Sequence, residues 1–321
     1  MSEYALEVRD LRKEYRTRRG LVRAVDGVSF AVRPGEVVGL LGANGAGKTT
    51  TLKCLCTLIR PTSGTLRVMG QDAMAHPHRA LPRIAAVLEG NRNIYWQLSP
   101  RENLEFFAGI QGLPVRAVRP QIHALLDFFR LDAKSDTPAR MLSRGMQQKL
   151  AIACALVKQT DVVLLDEPTL GLDVQTSFEL RGILRQIASG GERTVMLSSH
   201  DLAVVQALCD RVIIIHAGRV VTDERVGTLL ELFRPRGYRV RLDGALKEPQ
   251  RRRLEALFPA VTARAEADGG STVDVEMHEP QTMYDLVDAL RQDGAAVRSV
   301  ERRSRSLEEV FLSLTEQGLA A

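Results

Sequence analysis

Residues 42–50 read Gly-Ala-Asn-Gly-Ala-Gly-Lys-Thr-Thr, which fits the phosphate-binding pattern G-x-x-x-x-G-K-[ST]. The flanks agree with it. Val37, Val38, Leu40 and Leu41 form a short apolar run suited to a buried parallel strand. Thr51 to Leu58 is expected to follow as a helix carrying Leu52, Leu55 and Leu58. In strand–loop–helix order, Gly42, Gly45 and Gly47 let backbone N–H groups converge on a phosphate, and the helix N-terminus adds unpaired donors and a positive dipole end. Lys48 supplies a mobile cation for the outer phosphates, and Thr49 offers a hydroxyl to Mg²⁺, a cation that prefers hard oxygen ligands. Asn44 and Thr50 complete the candidate nucleotide-binding set.

A loop of this kind needs a sheet around it, and 321 residues with 45% hydrophobic side chains provide for one large domain and a smaller one. No run approaches the ~18 apolar residues of a membrane span, and the start lacks the basic-then-apolar order of a secretory signal, so a cytoplasmic chain is expected. Cys54, Cys56, Cys154 and Cys209 show no metal-ligand spacing and read as buried free thiols in a reducing compartment. The net charge of +5 divides into +8 over residues 1–236 and −3 over 237–321, with basic residues dispersed as ordinary solvated surface.

Residues 4–33 alternate apolar and polar as an antiparallel edge, in which Tyr15 reads by position as a half-buried strand tyrosine. Residues 64–70 suggest another strand, and Pro77 to Ile84 a short helix leading into the apolar run 85–88. From Glu89 to Thr160 the apolar spacing turns helical, which predicts an inserted helical subdomain. Val162 to Leu165 then form a buried strand ending in Asp166 and Glu167. Carboxylates at the C-terminal end of such a strand face the same crevice as the phosphate loop. Asp166 is therefore expected to hold the metal, and Glu167 to orient or deprotonate an attacking water. Thr194 to Leu197 is a further strand, placing His200 on the nucleotide edge within reach of a terminal phosphate. Val212–Ile215 and Arg219–Val221 make a hairpin.

Residues 142–149, Leu-Ser-Arg-Gly-Met-Gln-Gln-Lys, stand just ahead of the acidic strand. They resemble the signature of the ATP-binding-cassette (ABC) family. The order of all the motifs over roughly residues 4–225 fits that family, and most closely its ABC-2-type exporter ATPases. The resemblance implies an α/β P-loop NTPase with a RecA-like core sheet, an antiparallel β edge and an inserted helical subdomain. It makes Tyr15 the adenine-stacking aromatic, Asp166 and Glu167 the Walker B pair, Leu172 and Asp173 the D-loop, and His200 the switch histidine. Ser143 and Gly145 face an ATP held by a second copy, so a homodimer, ATP, Mg²⁺ and an integral membrane permease are the implied partners, with no direct nucleic acid. The chain would sit peripherally at the inner face of the cell membrane through the permease. Three positions depart from the family pattern: Arg144, Met146, and Glu89 at the place of the Q-loop glutamine, where a carboxylate only accepts and adds charge beside the metal site. The aromatic segment 91–96 suits either a groove for a permease helix or packing within the helical subdomain.

Arg234 to Gly237 reads as a linker, and residues 237–321 as a small α+β domain with ferredoxin-like β-α-β texture. Tyr238–Leu242 and Val273–Met277 alternate as strands. Met283, Leu286, Val287 and Leu290 form one helical face; Leu307, Val310, Phe311 and Leu314 form another, capped by Ser306 and Glu309. Regulation or dimer contact and a passive apolar cap are both open for this part. The leading function is an ATPase driving transport, in the export direction, through a separate permease. The alternatives are a non-transport ABC ATPase acting on nucleic acid or the ribosome, whose tandem cassettes and zinc cysteines do not occur here, and a P-loop kinase or GTPase, for which no N-K-x-D motif occurs.

Overall fold

The computed structural model describes residues 2–17, 20–90, 93–189, 193–232, 237–258, 261–266, 269–276, 282–292 and 295–302. They form two compact units, the first built on residues 1–227 and the second beginning at Thr228.

In the first unit, β1 (Leu6–Thr17) and β2 (Gly20–Val32) pair antiparallel, with register shifts that bend the ribbon. Their inward residues Leu6, Val8, Val28 and Val32 are buried at alternate positions, and the register shift after Val8 brings Leu11 back to the buried face. β3 (Val37–Leu41) is buried at every position and enters the glycine loop. α1 (Lys48–Leu55) begins directly at the lysine, with Gly47 at φ 107° as its N-cap. It stops earlier than its apolar spacing suggests. Thr57 takes a left-handed φ of 54°, its N–H meets Cys54 O at 2.9 Å, and the Leu58 N–H meets Lys53 O at 3.0 Å. These two bonds make a Schellman C-cap, so Leu58 lies beyond the helix and is 65% exposed.

β4 (Ser63–Val68) pairs with β1, and β5 (Gln71–Asp72) completes an antiparallel sheet ordered β2-β1-β4-β5. The next helix, α2 (Pro77–Ala80), is only one turn long and passes into a 3₁₀ turn at Leu81–Arg83. Pro82 has no N–H to continue the helical ladder, and Ile84 opens β6 (Ile84–Val87) instead of closing the helix.

Between β6 and its parallel neighbour β7 (Val162–Asp166) run α3 (Pro100–Ile110), α4 (Val115–Phe128) and α5 (Arg144–Leu156). The helical segment is thus an enlarged crossover connection between adjacent parallel strands. Its first helix carries a capping box: Ser99 Oγ accepts from Glu102 N, and Glu102 Oε2 accepts from Ser99 N at 2.8 Å. Those hydrogen bonds hold the Glu102 carboxyl below its ordinary pKa. Then come α6 (Val174–Ser189), β8 (Thr194–Ser199), α7 (Leu202–Leu208), β9 (Arg211–His216), β10 (Arg219–Arg225) and α8 (Val226–Leu232). The second sheet is ordered β10-β9-β3-β8-β7-β6 and is parallel except for β10. Its β9–β10 hairpin turns at Ala217 and Gly218, both at positive φ. In this sheet the phosphate-loop strand β3 and the acidic strand β7 flank β8, which brings their C-terminal ends to one edge.

The second unit contains β11 (Gly237–Asp243), α9 (Glu248–Leu257), β12 (Thr262–Ala265), β13 (Ser271–Glu276), α10 (Thr282–Gln292) and β14 (Ala296–Arg302). The β-α-β-β-α-β order, with an antiparallel sheet β12-β13-β11-β14, is that of the split βαβ unit. Its core holds Val240, Leu242, Leu254, Phe258, Val273, Val275, Leu286 and Leu290. Val287 turns away from that core and is 42% exposed, because Ala289 rather than Val287 occupies the buried face of α10. The expected helix through Leu307, Val310, Phe311 and Leu314 with its Ser306–Glu309 cap, most of the linker, Met277, and residues 91 and 92 lie outside the described residues. Among the described residues no helix is long and apolar enough to cross a membrane.

All four cysteines are free and buried. Burial raises the Cys54 thiol to about 11 and the Cys56 thiol to about 12, and pushes Cys154 and Cys209 up as well. Because the thiolate is the reacting form, the native chain is expected to show almost no reaction with a thiol reagent at neutral pH, and four reactive thiols once unfolded in guanidinium. Rapid labelling of any thiol in the native chain would contradict the burial.

Candidate active site

The glycine loop is shaped by close approaches that only a missing side chain permits. A β-carbon at Gly42 would lie 2.4 Å from Ile215 O, and one at Gly47 2.4 Å from Ala24 O. The loop therefore packs against β9 and β2, and Lys48 at the first position of α1 is turned inward and 5% exposed. Its Nζ donates to Gly42 O at 2.7 Å and Ala43 O at 3.3 Å, and lies 3.4 Å from Glu167 Oε1.

The two acids at the end of β7 divide their work by geometry. Asp166 is 2% exposed; its Oδ1 accepts from Thr49 Oγ1 at 3.2 Å and from Ser198 Oγ at 2.5 Å. Its Oδ2 is buried without a hydrogen-bond partner. An orphaned buried carboxylate oxygen beside a threonine hydroxyl is a hard-oxygen donor set that fits Mg²⁺, which keeps waters and phosphate oxygens for its other positions. Among the described residues no group of three or more His, Cys, Asp and Glu side chains is placed to hold a metal without such help.

Glu167 takes a left-handed φ of 48°. Its N–H points back at Ser198, 3.2 Å from the carbonyl and 3.1 Å from Oγ, which stabilises a backbone conformation costly for a residue with a β-carbon. The turn swings the carboxylate out of the strand direction. Oε1 faces Lys48 and Oε2 lies 2.9 Å from His200 Nδ1. His200 Nδ1 is placed to donate to this carboxylate, on a side chain 42% exposed. The sequence motif contains no hint of Ser198, yet this one hydroxyl joins both acids across β7 and β8.

A cavity of about 500 Å³ opens over the loop, lined by Ala24, Asn44, Gly45, Gly47, Lys48, Thr49 and Thr50 together with Glu89, Glu167 and His200. A second, of about 350 Å³, is lined by Trp96, Arg144, Gln147, Asp166 and Leu172 among others. Glu89, Glu167 and Leu170 border both. Glu89 is exposed.

Tyr15, on β1 opposite Val22, is half-buried and carries Lys13 Nζ 5.1 Å from its ring centroid; it is not among the residues lining the loop cavity. Ser143 is the exposed N-cap of α5, its Oγ accepting from Met146 N at 3.3 Å. Gly145 is buried, and a β-carbon there would lie 2.2 Å from Thr176 Cγ2. In the aromatic segment, Asn103 donates to Tyr95 O, Leu98 O and Ser99 O, and the Tyr95 ring packs edge-on to Phe106 at 4.4 Å. Tyr95 thus packs within the helical region while remaining 49% exposed.

A P-loop entering from one parallel strand, an acidic pair closing a second and a histidine closing a third define a P-loop NTPase built to hold and hydrolyse a nucleoside triphosphate. The profile of the family described as ABC transporter matches residues 25–170. The chain is 34% identical over 313 residues to the Nod factor export ATP-binding protein I of Ralstonia nicotianae, covering 97% of this chain and 93% of the relative. It is 34% identical over 299 residues to the daunorubicin/doxorubicin resistance ATP-binding protein DrrA of Streptomyces peucetius, covering 91% and 88%. A solved ATP-binding subunit of an ABC transporter superposes with a TM-score of 0.63 at 31% identity, over 71% of this chain and 93% of that one. The chain belongs to the ABC transporter ATPase family, and its relatives are ATP-binding subunits of the ABC-2-type exporter class.

Proposed function

We propose that this ATPase drives export through a separately encoded membrane permease, docked at the inner face of the cell membrane and working as a pair of cassettes. The observation that carries the export reading is the 97% span of the likeness to the Nod factor export protein, which takes in both compact units and not the nucleotide-binding one alone.

In this reading the N–H groups of residues 42–50 and Lys48 grip the phosphates, and Thr49 and Asp166 hold Mg²⁺, with Glu89 bordering the same space as a further carboxylate. The bound metal neutralises charge on the outer phosphates. Glu167 accepts the proton of a water whose oxygen bonds to the γ-phosphorus as the bond to the ADP oxygen breaks. His200 keeps the Glu167 carboxylate aimed and presents Nε2 toward the terminal phosphate. Ser143 and Gly145 face the nucleotide of the second copy, and the half-exposed Tyr95 and Trp96 meet a permease helix. Residues 237–321 act as a separate domain. Purification of the full chain from its own cells in mild detergent should bring down a polytopic membrane protein in comparable amount. Recovery with ribosomes or DNA instead would overturn the transport reading.

Tyr15 stacks on adenine in the same scheme, using the ring face opposite Lys13. Tyr15→Ala should weaken ATP binding by roughly 0.5–1.5 kcal/mol, whereas Tyr15→Phe keeps the stack. Equal affinities of the two variants in a fluorescent-nucleotide titration would remove the role.

A further inference from the structure

We propose that Arg144 is a positioning residue that holds the loop following Glu167, coupling the first turn of α5 to the catalytic carboxylate of the same chain. The loop is short and tightly wound: Leu170 N–H meets Glu167 O at 3.1 Å and Leu172 N–H meets Thr169 O at 3.3 Å. Gly171 follows at φ 70°. Measured from the point where a β-carbon on Gly171 would stand, Arg144 Cζ and Nη1 are both 2.9 Å away and Nη2 is 3.1 Å away. Three nearly equal distances mean that the guanidinium lies flat across the Gly171 α-carbon. Both residues are exposed, and the positive φ favours glycine at 171, so the guanidinium rests against open backbone there; a lysine has the charge without the plane.

Two neighbouring contacts extend the seam between the same two helices. The missing side chain of Gly145 is filled by the Thr176 methyl, and Thr176 is itself fixed by Asp173, through its N–H at 2.8 Å and its hydroxyl at 2.7 Å. One turn further on, Lys149 pairs with Glu179 at 2.9 Å. Residues 144, 145 and 149 of α5 therefore grip residues 171, 176 and 179. Arg144 is the contact nearest Glu167, and it stands beside the exposed Ser143. Arg144 and Glu167 also line the same cavity. A shift of the Gly171 peptide would be carried through the two-bond turn to Glu167, whose left-handed backbone is held on one side by Ser198 and on the other by the Leu170 N–H of that turn.

The inference rests on Glu167 being the base. Arg144→Ala in the full chain should lower kcat about tenfold, since small misplacements of a catalytic group are costly, while KM and the affinity for ATP stay unchanged. Arg144→Lys should lose nearly as much. Gly171→Ala forces the same contact apart and should also lower kcat, and the double variant Arg144→Ala/Gly171→Ala should be no slower than Gly171→Ala alone. Melting temperatures of the variants within a few degrees of the parent keep a folding defect from mimicking the result. Full activity of Arg144→Lys, losses that multiply in the double variant, or an unchanged kcat in Arg144→Ala would each overturn the proposal. A parallel Glu167→Gln control separates it from the underlying reading: if that variant still turns over normally, the base assignment is what has failed.

Discussion

Glu167→Gln is expected to bind ATP and hydrolyse it about 10²–10⁴-fold more slowly, the contribution of a positioned acid–base group. The amide keeps the size of the side chain and can still meet Lys48 and His200, which lie 3.4 and 2.9 Å from the two carboxylate oxygens. It cannot take a proton from water. Asp166 cannot substitute, because Oδ1 is occupied by Thr49 and Ser198 and Oδ2 is buried within the candidate metal site. ATP should then persist, and in the proposed pair, with the nucleotide shared between Ser143 and Gly145 of one copy and the P-loop of another, it should stabilise the dimer by mass action. Light scattering after size exclusion should show the variant moving from monomer to dimer with Mg-ATP and returning with ADP. Near-parental phosphate release would remove Glu167 as the base. Slow release with a monomeric mass would leave the chemistry standing and mean that the cassettes do not pair without the permease.

Lys48→Ala is expected to weaken ATP binding by about 10- to 100-fold, the equivalent of losing hydrogen bonds to a charged group, and to abolish measurable turnover. The structure adds a second effect. Lys48 and Glu167 are both buried, with side chains 6% and 7% exposed, and truncating one leaves the other's charge stranded. The stranded carboxylate keeps its 2.9 Å contact with His200 Nδ1, so the loss of stability should be modest, about 1–3 kcal/mol, and thermal unfolding without nucleotide will reveal it. Adding Glu167→Gln to Lys48→Ala removes the stranded carboxylate and should recover most of the lost stability but none of the activity. If the double variant melts no higher than Lys48→Ala, the two side chains are not energetically coupled in the nucleotide-free chain.

Local chemistry made much of this protein legible from the chain alone. The G-x-x-x-x-G-K-T spacing at 42–49, between an apolar strand and a helix, points to a nucleoside triphosphate, and its residues are consecutive, so the pattern survives without any knowledge of distant contacts. The buried run 162–165, the helical spacing of 89–160 and the strand alternation at 238–242 depend on period 2 or 3.6 and are likewise local. Local rules were overridden for different reasons: Leu58 keeps the helical spacing, but Thr57 had already turned left-handed; Ile84 passes to β6 because Pro82 breaks the ladder; and Ala289 takes the buried face expected for Val287. What only the tertiary structure decided are the partnerships across the sheet. Nothing near Asp166 or Glu167 in the chain announces Ser198, which reaches them because β7 and β8 are parallel neighbours joined through α6. The Arg144 guanidinium meets Gly171 only because α5 packs against the start of α6, after a whole strand has intervened. Such contacts follow from crossover connections, which bring together residues tens of positions apart, and no periodicity in the sequence encodes which side chains will then touch.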